Sequence, residues 1–226
     1  MVFNKRLFKN LDYVLIGNII LIMALSLLIL SSATVNMSSD PLFYVKKHLI
    51  SIGLGVVCAV FIMAFDYKKV MKYDKYIYLL LIALLLAVDI RGIVSHGSQQ
   101  WLSLGPLVFQ PSEVGKLLLI IFFASYFVKR QGQLNTLKDM IPSFLIFSVP
   151  FILILVQDMG TAIVYVVIFF GMLYMAGAKP SIVLGIIGTG LAIVIMALGL
   201  HLSSLQLPLP LEGYQISRLT SFLDPY

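Results

Sequence analysis

The sequence has few charged residues and one cysteine. Of its 226 residues, 12% are charged and 60% are hydrophobic, and the mean hydropathy is +1.01. Soluble domains carry about 25% charged residues, so the composition excludes an ordinary soluble globular protein and indicates an integral membrane protein. The single cysteine, Cys58, excludes an intrachain disulfide and a cysteine-based zinc site. We interpret it as a small buried residue within its apolar run.

Long apolar runs dominate the chain instead. A helix that crosses a bilayer needs about 20 mostly apolar residues, because lipid cannot hydrogen-bond a free backbone. The sequence predicts an all-α, polytopic helical bundle. Its runs, about seven in number by this length criterion, lie near 13–31, 48–65, 75–90, 112–128, 141–157, 159–177 and 181–201. The third run is short and interrupted by Asp89, and only QDMG separates the fifth from the sixth, which predicts a tight helical hairpin.

The basic residues indicate how the chain is oriented. The amino terminus is basic, but no small-residue cleavage pattern follows it, so we interpret the first apolar run as a retained span. With a cytoplasmic amino terminus, most of the 16 lysines and arginines fall in inner segments, as the positive-inside rule requires. The net charge of +6 therefore reflects topology. Its spread over short loops offers no surface for nucleic acid.

Polar residues gather in the segment SQQWLSLGPLVFQPSEVGK, residues 98–116, which this topology places on the outer side. Pro111 suits the first turn of a helix, Ser112 can cap it, and the helix dipole favours an anion at Glu113. Glu113 and Lys116 are three residues apart, so they can pair on one helical face. Two interpretations remain: a polar cavity for a charged substrate, or a structural ion pair beside a helix cap.

Two further polar positions have the same ambiguity. Asp158, followed by Gly160 and Thr161, is either the cap of the sixth helix or part of a polar ligand site, and both can hold. Trp101 is either an interfacial anchor or a stacking platform for a sugar or headgroup. These residues alone do not separate a transporter from an enzyme that uses a lipid-linked substrate.

Basic and imidazole side chains on the outer side offer weaker signals. Lys46, Lys47 and His48 begin the second helix and could contact phosphates, although ordinary loop charges explain them too. His96 and His201 have no histidine or glutamate at metal-binding spacing, so the sequence gives a zinc site little support.

Three motifs resemble those of the SEDS family (shape, elongation, division and sporulation). GSQQWLSLGPLVFQPSEVGK is similar to its G-[AS]-x-x-W-[IL]-x-[LI]-G…FQPSE-x-x-K signature, QDMGTAIVYVVIFFGMLYMAGA to QPDLGTA…MLF-x-AG, and GYQISRLTSFLDPY to [PY]-Y-Q-x-x-R-[IL]-x-x-FL-[DN]-P. The motifs occur in the family's order, and the resemblance runs over essentially the whole chain. KNLDYVLI and FYVKKHLI look more like the elongation (RodA) branch than the division branch.

The resemblance implies a ten-helix membrane protein that polymerises lipid II into glycan strands at the outer face of the bacterial plasma membrane during elongation. It also implies a class B penicillin-binding protein as partner, membrane lipid around the protein, and a divalent cation, Mg or Mn. Residues 1–226 would form a single SEDS-type transmembrane domain that is incomplete at its carboxy terminus, with an outer loop starting near residue 202.

The resemblance also implies a substrate cavity. It matches Trp101 to the family's loop tryptophan, Glu113 and Lys116 to its helix-four pair, and Asp158 to its QPDLGT carboxylate. As hypotheses, Lys116 contacts a diphosphate or carboxylate, Glu113 orients Lys116, Asp158 is a cavity acid and Trp101 shapes the outer loop. The predicted cavity comprises Trp101, Gln110, Ser112, Glu113, Lys116, Asp158 and Thr161, with Lys47 and Arg218 as candidate phosphate contacts.

The sequence departs from the family pattern in two places. The proline between Gln and Asp is absent from QDMG. The carboxylate held to be catalytic in the family belongs to a later part of the outer loop, beyond residue 226, so we expect residues 1–226 alone not to polymerise lipid II. The alternatives are a flippase for lipid-linked precursors, which should show an inverted repeat, and a scaffold for the penicillin-binding protein, which should tolerate loss of Glu113 and Lys116.

Overall fold

The computed structural model describes residues 11–35, 40, 42–64, 67–95, 98–104 and 107–202. Within these ranges lie seven long helices: α1 (Tyr13–Ala33), α2 (Phe43–Ala64), α3 (Asp74–Arg91), α4 (Pro111–Val128), α5 (Leu137–Gln157), α6 (Met159–Met175) and α7 (Pro180–Leu202). One helical turn, Tyr67–Val70, and a 3-10 turn, Met71–Tyr73, precede α3. The predicted helical bundle is confirmed. The third helix is not broken at Asp89 but continues to Arg91.

A small antiparallel sheet connects α3 to α4. Its strands are β1 (Ile93–Ser95), β2 (Ser98–Leu104) and β3 (Leu107–Phe109), in that spatial order. The sequence predicts only a loop in this segment, so the sheet is a correction. The first three residues of β2, Ser98, Gln99 and Gln100, are polar, and three of its last four residues are apolar.

Five of the helices, α1, α2, α4, α5 and α7, are long and apolar enough to cross a membrane. Helix α6 is apolar but has 17 residues, and α3 carries charged residues in both its first and last turns. Backbone groups in lipid must be satisfied within a helix or a closed barrel. The chain is therefore a multi-pass membrane protein.

The chain divides into two units, Met1–Lys68 and Lys69–Tyr226. In the first unit, α1 packs against α2, and Ser26 Oγ lies 2.8 Å from Nε2 of His48. Cys58 is exposed on α2, so the prediction that it is buried is wrong. An apolar side chain gains nothing from protein contact when lipid can surround it equally well.

The second unit contains the packed core, which α3, α4, α5 and α6 build together. Aromatic rings occupy its centre. Phe147 of α5 stacks on Phe169 of α6 with ring centroids 4.3 Å apart, and Phe123 of α4 meets Phe169 edge-on at 5.1 Å. Leu81 and Leu85 of α3 complete the buried interface.

Within the second unit, consecutive helices run in opposite directions, as the contact of Ser125 near the end of α4 with Asp74 at the start of α3 shows. Only Asp158 separates α5 from α6, which confirms the predicted hairpin, and Gly177 turns the chain towards α7 with a φ of 87°. The carboxyl ends of α3 and α5 therefore meet the amino ends of α4 and α6. We call this region, together with the sheet, the polar end.

Candidate functional site

Helix α4 begins two residues earlier than a cap at Ser112 would place it. The N-cap is Gln110, whose carbonyl oxygen accepts from the Glu113 N–H at 3.1 Å, and Pro111 takes the first helical position. The predicted Ser112 cap is therefore wrong, because the fixed φ of proline starts the helix before it. The Gln110 side chain donates instead to Gln100 Oε1 at 2.7 Å.

Ser112 occupies an unusual environment inside the first turn of α4. Its side chain is 3% exposed, and its hydroxyl oxygen has no hydrogen-bond partner among the described residues. Buried hydroxyls are normally paired, so an orphaned one marks either a local energetic cost or a position that a ligand completes.

Glu113 and Lys116 form the predicted ion pair. Lys116 Nζ donates to Glu113 Oε1 at 2.8 Å, with the lysine side chain 24% exposed and the glutamate 56% exposed. The pair lies in the first two turns of α4, where the helix dipole favours the carboxylate. Its partial exposure leaves both charged groups able to meet a further partner.

Asp158 caps α6 as predicted. Its carboxylate accepts from the backbone N–H of Gly160 at 3.2 Å and of Thr161 at 3.3 Å, and from the Thr161 hydroxyl at 2.5 Å. The carboxylate is buried together with Thr161. The turn thus forms without the proline of the family motif, because these bonds and the extended backbone of Asp158 fix its shape.

A tyrosine that the sequence motifs do not single out joins α6 to α4. The Tyr165 hydroxyl donates to the Ser112 carbonyl at 3.1 Å. Gly115 makes this approach possible, since a Cβ there would overlap the hydroxyl. The sequence signal for this close contact is Gly115 itself, a glycine inside an apolar helix just after the FQPSE motif.

The sheet adds another unpredicted contact to the polar end. Gln99 of β2 lies with Nε2 2.9 Å from the Val88 carbonyl oxygen and 3.0 Å from that of Gly92. The Val88 carbonyl also accepts from the Gly92 N–H at 2.7 Å, so Gln99 adds a second bond there and ties β2 to the end of α3. Trp101, also in β2, is half-buried and pairs with Ile93 across the sheet.

The described structure does not test the candidate phosphate contacts. Lys47 is exposed on α2 in the first unit, and Arg218 and His96 lie outside the described residues. Lys46 pairs with Asp40 at 2.8 Å. In the part of the chain that the structure describes, no three histidine, cysteine or carboxylate side chains converge, so these residues assign no ligand set for the expected divalent cation.

The helices form a membrane bundle, and one end of it gathers a charged pair, a capping carboxylate and a small sheet. These features define the chain as a multi-pass membrane protein with a polar site at one end. The family described as "Cell cycle protein", which groups FtsW, RodA and SpoVE, matches residues 11–226. The chain belongs to this family.

Individual relatives agree with this assignment. A probable peptidoglycan glycosyltransferase FtsW of Aeromonas salmonicida is 31% identical over 91% of this chain and 51% of its own length. The rod shape determining protein RodA of Thermus thermophilus, in a D255A mutant structure, has a TM-score of 0.67 at 25% identity, over 81% of this chain and 60% of its own. A solved peptidoglycan synthase complex, described as coordinating polymerization and crosslinking, gives a TM-score of 0.70 at 25% identity, over 96% of this chain and 60% of its own. The chain thus spans about half the length of this FtsW.

Proposed function

We propose that this chain belongs to a peptidoglycan glycosyltransferase that polymerises lipid II. The observation that carries the proposal is the Glu113–Lys116 pair, joined at 2.8 Å and partly exposed at the start of a membrane helix. Charges inside membrane segments are costly and usually mark substrate sites. A lipid-linked cell-wall precursor as substrate is supported by the naming of the FtsW relative as a probable peptidoglycan glycosyltransferase.

In the proposed reaction, the 4-hydroxyl of an acceptor sugar attacks the anomeric carbon of a donor whose lipid diphosphate departs. Lys116 supplies positive charge where the departing diphosphate becomes more negative, and Glu113 holds the lysine ammonium in place. Asp158 fixes the amino end of α6 beside them. The proton of the attacking hydroxyl passes to a base that we do not assign to the described residues.

The proposal includes location, partner and cation. The polar end faces the outside of a bacterial plasma membrane and the amino terminus lies in the cytoplasm, because the opposite end of the second unit carries Lys129, Arg130, Lys138 and Lys179. A class B penicillin-binding protein cross-links the product, and the likeness to a peptidoglycan synthase complex supports this partner. A divalent cation, Mg or Mn, would supply further positive charge for the departing diphosphate when bound, and we assign no described residue as its ligand.

We further propose a role in elongation, on the basis of KNLDYVLI and FYVKKHLI and the likeness to a RodA structure. The FtsW relative, at 31% identity, points instead to the division branch. Depletion of the protein from cells distinguishes a role in elongation from a role in division. Cells that lose an elongation enzyme become round, whereas cells that lose a division enzyme form filaments.

The experiment that tests the activity uses protein produced from the whole gene together with its penicillin-binding partner. Lipid II and Mg or Mn are added, and glycan products are resolved by size. We expect polymer from the wild type, little from Lys116→Gln, and normal polymer from Lys138→Gln, an exposed lysine at the opposite end. No polymer from the wild type, in conditions where a known polymerase works, would contradict the proposal and favour the flippase or the scaffold.

A further inference from the structure

Gln157, the last residue of α5, is a buried polar side chain with 3% exposure. Its Nε2 lies 2.9 Å from the carbonyl oxygen of Leu85 and 2.9 Å from Oδ1 of Asp89, both on α3. A primary amide has two N–H groups, so both are used. Leaving either unpaired in a buried position would cost about 1–3 kcal/mol, so this geometry is strongly specified.

The contact with Leu85 is not a helix cap. Helix ends leave their last carbonyl groups without partners inside the helix, and the Val88 carbonyl near the end of α3 accepts from both the Gly92 N–H and the Gln99 side chain. Gly92 allows this close approach, since a Cβ there would overlap the Val88 carbonyl and the Gln99 side chain. Leu85 lies further inside the helix, so the bond from Gln157 serves something other than finishing α3.

The residue after Gln157 is the capping carboxylate. Asp158 donates its backbone N–H to the Ile154 carbonyl at 2.7 Å and receives the first N–H groups of α6 on its side chain. Its backbone is thus held between an anchored residue before it and a helix after it. The two bonds from the Gln157 side chain tie this turn to α3, so freeing that side chain loosens the turn.

Asp89 occupies a position that helix electrostatics disfavours. A carboxylate in the last turn of a helix faces the negative end of the dipole, and Asp89 is nonetheless found there, exposed, with one oxygen bonded to Gln157. Local rules are broken most often at functional positions. The bond to Gln157 fixes the direction of this carboxylate at the polar end.

We propose that Gln157 is a positioning residue, which fixes the Asp158 turn against α3 and orients Asp89 as a further acidic side chain of the substrate site. This inference rests on the proposed function. In that setting, Asp89 accepts hydrogen bonds from hydroxyl or amide N–H groups of a sugar. Gln157 does not contact the substrate and acts only through Asp89 and the Asp158 turn.

The kinetic test compares variants of the protein produced from the whole gene. Gln157→Leu introduces an apolar side chain of similar size and should lower kcat about 10–100-fold with little change in KM, because small misplacements of reacting groups are costly. Gln133→Leu, an exposed glutamine at the opposite end of α4, should behave as the wild type. Asp89→Asn keeps an oxygen for Gln157 and should lower kcat through loss of charge while leaving thermal stability unchanged. Wild-type kcat in Gln157→Leu would overturn the inference.

A second readout does not depend on activity. Hydrogen exchange at the Gly160 and Thr161 amides should accelerate in Gln157→Leu and stay unchanged in Gln133→Leu. Gln157→Glu, which places an accepting oxygen against the Leu85 carbonyl oxygen, should also accelerate this exchange. Unchanged exchange in Gln157→Leu would overturn the positioning role. Accelerated exchange in Gln157→Leu, alongside a wild type that makes no polymer, would refute the proposed function alone.

Discussion

The Tyr165 hydroxyl donates a hydrogen bond of 3.1 Å to the Ser112 carbonyl oxygen, and this bond ties α6 to the first turn of α4. It spans a sequence separation of 53 residues and ends on the residue that immediately precedes Glu113 of the charged pair. The tyrosine side chain is fully buried. The position of the charged pair therefore depends on how closely the two helices approach.

Gly115→Ala should destabilise the protein. A Cβ at this position would overlap the Tyr165 hydroxyl and lie 3.1 Å from Cδ1 of Leu81, and overpacking of this kind costs about 1–3 kcal/mol. The measurement is the free energy of unfolding in detergent. Gly171→Ala, in α6 with open space around its Cβ, is the matched control and should not lose stability. Gly115→Ala combined with Tyr165→Phe should lose less than the two single costs added together; strict additivity would contradict the proposed overlap.

Two buried serines on α4 should respond in opposite ways to removal of their hydroxyl groups. Ser112 and Ser125 are each 3% exposed. Of these two hydroxyls, only that of Ser125 has partners among the described residues: its oxygen lies 3.0 Å from Asp74 Oδ2 and 3.1 Å from the Met71 carbonyl oxygen, and its one proton is donated to this pair of acceptors. Ser112→Ala should raise the free energy of unfolding by roughly 1 kcal/mol, and Ser125→Ala should lower it by about 1–3 kcal/mol. Destabilisation by Ser112→Ala in thermal melts would show that its hydroxyl is satisfied.

Most of the helices could be predicted because lipid imposes a length and an apolar composition on each span. The largest errors fall at helix starts. The apolar run predicts α2 from residue 48, but the helix begins at Phe43, because a helix can carry Lys46 and Lys47 into the headgroup region. Helix α5 begins at Leu137, and the capping box between Thr136 and Asp139 is the signal that locates this start.

The candidate site was predictable only where its contacts are local. The pairing of Glu113 with Lys116 and the Asp158 cap follow from spacings of three residues or fewer. The Gln157–Asp89 bond joins residues 68 apart, and no periodicity reports such a contact. It arises from the packing of α3 against α5, which only the folded structure shows.

Asp74 should make stability depend on acid pH. Its carboxylate accepts a hydrogen bond from Lys129, which lowers the pKa of Asp74 below its usual range. Burial raises this pKa, whereas hydrogen bonds from Ser125 at 3.0 Å and from the Lys75 N–H at 2.9 Å lower it further. The stabilisation is therefore complete above the unfolded-state pKa, about 3.9, and is lost as the pH falls through the lower folded pKa. Unfolding of the wild type from pH 7 to pH 3 should show this loss, and Asp74→Asn should show a flatter profile. Equal slopes would contradict the assignment.

Lys116→Ala should abolish function at little cost in stability. The pair is partly exposed, and ion pairs of that kind contribute about 0–1 kcal/mol, so the variant should melt close to the wild type. Loss of the charge that faces the departing diphosphate should nevertheless stop growth when the variant is the sole copy. Lys138→Ala, which removes an exposed lysine at the opposite end, controls for loss of positive charge. Normal growth with Lys116→Ala, at wild-type protein levels, would show that the pair is structural, whereas a folded and inactive variant would place Lys116 in the substrate site.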